Sequence, residues 1–255
     1  MRGWPCQSIA QGHLTVRLTV RTVAKGIWYN AAKESFVIRK KQVSLMSTSS
    51  HEIAATLLRA GAVHLQPDDP FTFASGLRSP IYCDNRLLIG DVAARRVVTR
   101  SFEAACTGAE VIAGTATAGI PWAAWVAEAL GLPMAYVRGA AKGHGRGRQI
   151  EGAAVSGRHV ALLEDTISTG ESALAAAAAL RAEGAELIGC VCIFTWGWQA
   201  TADAFATAEL PLIALTTLPA LLDVAAREGS LGDAQRALVE DWVADPQGWA
   251  ARNGK

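Results

Sequence analysis

The sequence predicts an α/β protein with a central, mostly parallel sheet flanked by helices, and three observations predict it. Four short runs are apolar throughout, two longer windows have the alanine-rich composition of helices, and glycine-rich turns separate the runs from the windows. Strands that are apolar on both faces are typical of a parallel sheet covered by helices. The runs are Val111–Gly114, Met134–Val137, Val160–Leu163 and Leu187–Phe194, and the windows lie near 119–131 and 170–184.

The composition limits the classes of protein to which this chain can belong. Its 255 residues are 51% hydrophobic, which allows a sizeable core, and its formal charge of +1 predicts no nucleic-acid or membrane partner. No stretch approaches the ~18 continuous apolar residues of a membrane span. Five cysteines without C-x-x-C spacing predict neither a disulfide framework nor a zinc site. We therefore expect a globular protein of the cytoplasm.

Residues 1–45 form an extension that we expect to lie outside the fold. They carry eight basic residues and one acidic residue, so the rest of the chain is mildly acidic. After Met46, serine and threonine residues can cap the helix that Ile53, Leu57 and Leu58 suggest, as at a natural protein start. One interpretation is a start codon assigned too early, and the other is an arginine-rich organelle-targeting peptide.

A carboxylate pair and a hydroxyl-rich turn follow the third apolar run, where ligands of open parallel sheets bind. Glu164 and Asp165 come first, and Ser168, Thr169 and Gly170 precede an alanine-rich helix. The start of a helix presents unpaired N–H groups to a phosphate, and glycine lets the backbone close around the anion. Because the carboxylates can accept hydrogen bonds from sugar hydroxyls, the implied ligand is a sugar phosphate. The alternative is a capped helix with solvated loop carboxylates.

The compositions of two further segments suggest a structure or a function. Residues 71–86, FTFASGLRSPIYCDNR, combine aromatic residues with a Ser-Gly turn and are also compatible with a simple β-hairpin. Residues 138–152, RGAAKGHGRGRQIEG, are rich in glycine and strongly cationic, which suggests a flexible lid that closes on an anion. The alternatives for this second segment are a disordered surface loop and a nucleic-acid contact.

Several motifs of this chain resemble those of one enzyme family. Residues 159–172 resemble the motif with which type I phosphoribosyltransferases bind phosphoribosyl pyrophosphate (PRPP), with Glu164 where many members have aspartate. Residues 71–86 resemble the F-T-x-x-S-G-x-x-S-P-x-Y pattern of orotate phosphoribosyltransferases, and residues 138–152 resemble the mobile catalytic loop of that family. The small-residue turn at residues 114–121, GTATAGIP, is compatible with a pyrophosphate site.

The resemblance implies a fold and an activity. The fold would be the type I phosphoribosyltransferase fold, formed by residues 46–255 as a small N-terminal hood (about 46–90), a core (about 91–220) and C-terminal helices (about 221–245). The enzyme would transfer the 5-phosphoribosyl group from PRPP to orotate, giving orotidine 5'-monophosphate and pyrophosphate in pyrimidine (UMP) biosynthesis. Its cofactor would be Mg²⁺, held through PRPP with no direct protein ligand.

The resemblance also implies roles for individual residues. Arg138, Lys142 and His144 would be catalytic, and Tyr82 and Ser168 would contact orotate. The chain would be a homodimer in which residues 138–148 complete the neighbouring subunit's site. The PRPP-binding set would be Arg138, Lys142, His144, Glu164, Asp165, Thr166, Ile167, Ser168, Thr169, Gly170, Glu171 and Ser172.

This chain also departs from the family pattern at several positions. Some members have lysine where this chain has Ala74, Gly139 and Ala140, and some have an arginine for the orotate carboxylate where this chain has residues 195–199, TWGWQ. Main-chain amides and Arg86 are the candidates that remain for that carboxylate. Two other functions are compatible with the motifs: a phosphoribosyltransferase for another base, and a non-catalytic regulator that senses PRPP.

Overall fold

The computed structural model describes residues 50–72, 76–139 and 149–253. All of them belong to one compact unit, Ser44–Lys255. The extension of residues 1–45 lies outside the described residues, so its place outside the fold stays a prediction.

The N-terminal part consists of short elements around two small antiparallel pairs. Strand β1 pairs with β4, and β2 pairs with β3. These elements occupy the predicted hood. In chain order they are α1 (50–59), β1 (Val63–Leu65), β2 (Phe71–Thr72), β3 (Arg78–Ser79), β4 (Ile81–Cys83) and α2 (Leu87–Gly90).

A six-stranded sheet forms the centre of the fold. Its strands are β5 (Val111–Thr115), β6 (Met134–Val137), β7 (Ile150–Gly152), β8 (His159–Ile167), β9 (Glu186–Thr195) and β10 (Leu212–Thr217). The strand order is β10-β9-β8-β5-β6-β7, and all neighbours are parallel except β6 and β7. The predicted α/β class and mostly parallel sheet are therefore confirmed.

Helices cover both faces of this sheet. They are α3 (Val92–Ala105), α4 (Gly119–Leu130), α5 (Glu171–Ala182), α6 (Gln199–Thr207), α7 (Leu218–Arg227), α8 (Asp233–Ala244) and α9 (Pro246–Asn253). Successive strand residues point to opposite faces, so Ile112 enters the core under α3, α4 and the C-terminal helices, whereas Val111 enters the core under α5 and α6. The fully apolar runs of the sequence follow from this two-sided burial.

Four features of the structure extend beyond what the sequence predicts. Strands β7 and β10 are additional, and the C-terminal helices run from Leu218 to Asn253. Strand β8 also continues through the carboxylate pair to Ile167, because β9 is long enough to pair Thr195 with it. The two carboxylates therefore lie within β8, near its C-terminal end, and not in the loop that follows the strand.

The turn between β5 and α4 packs tightly against β8. A Cβ atom on Gly119 would overlap the carbonyl oxygen of Leu163, and one on Gly114 would lie 2.7 Å from the carbonyl oxygen of Gly119. Glycine is therefore required sterically at both positions, and the two strand ends are held side by side.

Within the described ranges, the structure contains no helix with the length and apolar character that crossing a membrane requires.

Candidate active site

The carboxylate pair lies in the part of β8 that pairs with β9 but no longer with β5. Pairing with β5 ends at Leu163, whereas pairing with β9 continues to Ile167. Glu164 is buried, with 6% of its surface exposed, and Asp165 is half-buried. The Asp165 N–H donates to Glu164 Oε1 at 3.0 Å, and the Thr166 N–H donates to Asp165 Oδ1 at 2.7 Å. The two carboxyl groups are thus fixed by main-chain donors at the end of the sheet.

Burial makes ionisation of both groups unfavourable. Desolvation raises the pKa of Glu164 to about 8; the bond from the Asp165 N–H works against this rise, and the negative charge of Asp165 adds to it. Burial likewise raises the pKa of Asp165, although its bonds with Glu164 and Thr166 oppose the rise. Buried titratable groups of this kind, at the end of a strand, are typical of functional sites.

The turn after β8 has the backbone of an anion site. Gly170 has φ +84° and directly precedes α5, and as a glycine it offers no side chain to cap the helix. The first N–H groups of α5 are therefore available to an anionic ligand, as is the positive end of the helix dipole. Ser168 and Thr169 are exposed and can add hydroxyl donors, whereas Ile167 is buried in the core and contributes only its main chain.

Helix α6 supports this turn from behind. The Thr201 hydroxyl donates to the carbonyl oxygen of Ser168 at 2.6 Å, and Thr201 itself is buried. The Phe205 ring lies against Gly170, so closely that a Cβ atom there would be 2.5 Å from it. Two side chains one helical turn apart thereby fix both the main chain and the glycine of the turn.

The hood brings an aromatic ring and a cation to the same edge. Tyr82 is half-buried on β4, and its ring centroid lies 5.7 Å from that of Phe71. Arg86 is exposed and donates through Nε and Nη2 to the Asp84 carboxylate, at 2.7 and 2.9 Å. Those bonds are the main reason why the pKa of Arg86 is raised, and the nearby Tyr82 and Asp165 add to the rise. Arg86 therefore lies near both Tyr82 and Asp165.

Asn85 joins the hood directly to the end of β8. It is buried, and its amide nitrogen donates to the carbonyl oxygen of Asp165 at 3.1 Å and to the Thr166 hydroxyl at 2.9 Å. These bonds span 80 residues of sequence, so they are tertiary contacts that fix where the hood lies relative to β8.

Arg138 lies at the base of the cationic loop, where β6 ends. Its Nη1 is 3.3 Å from Glu151 Oε1, and the Tyr136 hydroxyl donates to Glu151 Oε2 at 2.7 Å. Its main-chain N–H donates to the carbonyl oxygen of Gln149, and Gln149 Nε2 donates back to the carbonyl oxygen of Arg138. Arg138 is thus held at one side of the loop, while Lys142 and His144 lie outside the described residues.

The structure brings most of the predicted site residues to one edge of the sheet. Glu164 to Ser172 follow one another along the end of β8 and the start of α5, and Tyr82 lies on β4 of the hood, near Arg86. Sequence reasoning gave no role to Asn85, Thr201, Phe205 or Glu151. The spacing of four residues between Thr201 and Phe205 was a usable signal for one buried helix face, whereas no local pattern indicated Asn85.

The residues of this edge fit a magnesium ion that enters with its substrate. In the described part of the chain, no three His, Cys, Asp or Glu side chains are grouped so that they could hold a metal ion. Mg²⁺ is commonly bound through substrate phosphates and waters with few protein ligands, and the site offers an anion-binding helix start next to two carboxyl groups.

Comparison with known proteins identifies the family. Residues 91–205 match the phosphoribosyl transferase domain. An orotate phosphoribosyltransferase of Bacillus caldolyticus is 47% identical over 205 residues, which cover 79% of this chain and 99% of that protein. Another, from Bacillus cereus strain ATCC 10987, is 47% identical over 199 residues, covering 76% and 95%.

Solved structures agree with this result. The crystal structure of orotate phosphoribosyltransferase from Aeropyrum pernix has 30% identity and a TM-score of 0.60, covering 71% of this chain and 99% of that one. That of the Mycobacterium tuberculosis H37Rv enzyme in complex with inorganic phosphate has 26% identity and a TM-score of 0.56, covering 68% and 98%. The predicted resemblance is confirmed: this chain belongs to the orotate phosphoribosyltransferase family and has the type I phosphoribosyltransferase fold.

Proposed function

We propose that this protein transfers the 5-phosphoribosyl group of PRPP to orotate, giving orotidine 5'-monophosphate and pyrophosphate for pyrimidine synthesis. The observation that carries the proposal is the position of a carboxyl pair, Glu164 buried and Asp165 half-buried, one short turn before an uncapped helix start, at the carboxyl end of a central strand. The Bacillus caldolyticus and Aeropyrum pernix relatives, which share sequence or fold over most of the chain, are orotate phosphoribosyltransferases.

The end of β8 would bind the sugar phosphate in two parts. Glu164 and Asp165 would accept hydrogen bonds from the ribose hydroxyls, and the turn from Thr166 to Gly170 would hold the 5'-phosphate with its N–H groups. Glu171 and Ser172, both exposed in the first turn of α5, would border that phosphate. The phosphate complex of the Mycobacterium tuberculosis relative supports anion binding by this fold.

The cationic loop would act on the leaving group. As pyrophosphate departs from the anomeric carbon, the sugar becomes oxocarbenium-like and negative charge accumulates on the pyrophosphate oxygens. Arg138, Lys142 and His144 would stabilise that charge, and His144 would donate a proton to the departing pyrophosphate. A ring nitrogen of orotate forms the new bond to the anomeric carbon as the bond to pyrophosphate breaks.

Mg²⁺ would be held by the pyrophosphate and sugar hydroxyls of PRPP and would supply charge neutralisation for the leaving group. The protein's own contribution is to orient PRPP through β8 and the start of α5, so that the metal needs no dedicated cage of side chains.

The hood would bind the base. The half-buried Tyr82 offers an aromatic face for the flat orotate ring, and Ser168, exposed in the turn after β8, would also contact orotate. Arg86 uses two of its nitrogens on Asp84, which leaves Nη1 for the orotate carboxylate. Main-chain amides of the hood are the other candidate for that carboxylate.

We further propose a homodimer in the cytoplasm. Residues 138–148 would reach into the neighbouring subunit's site, for which the anchored Arg138 provides the base. The cysteines of the described segments, at positions 83, 106, 190 and 192, are free thiols, which supports a reducing compartment.

The proposed reaction is tested by orotate-dependent release of pyrophosphate from PRPP and magnesium. The purified protein should release pyrophosphate with orotate and release none with adenine, guanine, hypoxanthine or uracil. Release with a purine instead would assign the protein to another base, and binding of PRPP without release with any base would indicate a non-catalytic regulator.

Two variants should separate chemistry from substrate binding. Lys142→Ala is expected to lower turnover by ~10²-fold or more, the scale seen when one charge-stabilising donor is removed. Asp165→Asn is expected chiefly to raise the KM for PRPP. Each variant should keep the circular dichroism spectrum and elution volume of the wild type.

The same two variants test whether the loop completes the neighbouring site. In co-expressed, differently tagged subunits, a mixed dimer would contain one site with both wild-type residues and one site with both substitutions. The assay uses a PRPP concentration at which Asp165→Asn alone is almost inactive. Random pairing makes about half of the dimers mixed, and each mixed dimer has one intact site of two, so the mixture should show about one quarter of the wild-type rate. Activity no higher than that of the separate variants would place the loop in its own subunit's site.

The raised pKa of Glu164 predicts a pH-dependent cost in stability. Because the folded-state pKa, about 8, lies above the ordinary value of 4.5, the folded protein binds this proton more tightly than the unfolded chain does. Stability is therefore lost as the pH rises from 4.5 to 8, and a neutral Glu164→Gln side chain avoids this loss.

Without PRPP, Glu164→Gln should melt at least ~3 °C above the wild type near pH 9, and the difference should shrink near pH 5. Glu128→Gln, which removes an exposed carboxylate of α4, is the control and should show no such trend. A difference in Tm between Glu164→Gln and wild type that stays constant from pH 5 to 9 would contradict the unfavourable ionisation of Glu164.

A further inference from the structure

Asn85 lies beside the end of β8, on the side where β5 no longer pairs with this strand. In a parallel sheet, the N–H and C=O of one residue point toward the same neighbouring strand. Asp165 lies beyond the last residue that β5 pairs, Leu163, so these two groups have no strand partner on that side. The Glu164 carboxyl accepts from the Asp165 N–H, and the Asn85 amide donates to the Asp165 C=O. Two side chains thus replace the missing strand.

The amide of Asn85 has one orientation that satisfies its surroundings. Its nitrogen faces two oxygens, the Asp165 carbonyl at 3.1 Å and the Thr166 hydroxyl at 2.9 Å. Its oxygen faces the Cys83 thiol, with 3.7 Å between sulfur and oxygen. Burial raises the pKa of Cys83 to about 12, so the thiol keeps its proton and can donate it. A reversed amide would place an acceptor against the Asp165 carbonyl, so the network fixes the side chain.

The position of this amide connects the two halves of the proposed site. Asn85 has 1% of its surface exposed, and burying a polar side chain is favourable only when all its hydrogen bonds are made. The partners it reaches belong to the segment proposed to bind the ribose and 5'-phosphate, while its own segment carries Tyr82 and Arg86 of the proposed orotate site. One side chain therefore connects the binding sites of the two substrates.

We propose that Asn85 is a positioning residue, which fixes Asp165 and Thr166 for PRPP and locks the orotate-binding hood to the sugar-phosphate site. This inference rests on the proposed function, because it assigns PRPP to the end of β8. Asn85 itself touches neither substrate and acts through the main chain of Asp165 and the hydroxyl of Thr166.

The test compares Asn85→Leu with a matched control. Leucine keeps the branched shape of asparagine, although its two methyl groups are bulkier, and it removes the three hydrogen bonds. Thr216→Val is the control, because Thr216 is fully buried and its hydroxyl donates to the Ser50 carbonyl oxygen at 2.9 Å, 166 residues away in sequence. Thr216 lies on β10, which β9 separates from β8. Both variants lose a buried tertiary hydrogen bond, and Tm measurements establish whether their losses of stability are comparable.

Asn85→Leu should raise the KM for PRPP by ~10-fold or more and lower kcat by less, whereas Thr216→Val should leave both constants within about twofold of wild type. Thr166→Val should raise the KM for PRPP in the wild type but add little to Asn85→Leu, since that hydroxyl has already lost its donor. Asn85→Asp, which retains the size and the Cys83 contact, should also raise the KM and serves if Asn85→Leu does not fold.

Three results would overturn the inference: an unchanged KM for PRPP in the folded Asn85 variants, an equal rise in Thr216→Val, or fully additive effects of Asn85→Leu and Thr166→Val. Failure of the proposed function is distinguishable, because wild-type protein would then itself show no PRPP-dependent activity.

Discussion

The architecture of the site depends on one mismatch in strand length. Strand β8 continues past the point where β5 ends, so its last residues have a strand partner on one side and an open edge on the other. Main-chain groups on that edge must find other partners or ligands. Glu164 and Asn85 provide partners for Asp165. The turn that follows is the segment that we propose to bind an anion. The proposed substrate site is therefore a consequence of how the sheet ends.

Neighbouring elements pack closely against the end of β8 and the turn that follows it. The turn after β5 passes so close to β8 that Gly119 admits no side chain, and α6 contacts the turn after β8 through Thr201 and Phe205. Burial holds Glu164 in an environment that disfavours its charge, with a pKa of about 8. Such an arrangement sacrifices stability, which natural proteins accept chiefly at functional sites.

Local sequence patterns predicted the elements that depend on local physics. The fully apolar runs at Val111 and Val160 predicted strands buried on both faces, and Gly170 before an alanine-rich stretch predicted the start of α5. Features that depend on distant pairing were missed. The contact of Asn85 with Asp165 spans 80 residues, and the extension of β8 through Glu164 required β9 to be equally long. Strand β10 is half-buried over its first residues and therefore shows a weaker apolar signal.

The central claim is that the end of β8 and the start of α5 bind PRPP. Isothermal titration of PRPP into the purified protein with magnesium tests it most directly, with Asp165→Asn titrated in parallel. The account predicts saturable binding at one site per chain and clearly weaker binding by Asp165→Asn. Absence of binding by the wild type, or equal affinity in Asp165→Asn, would contradict it.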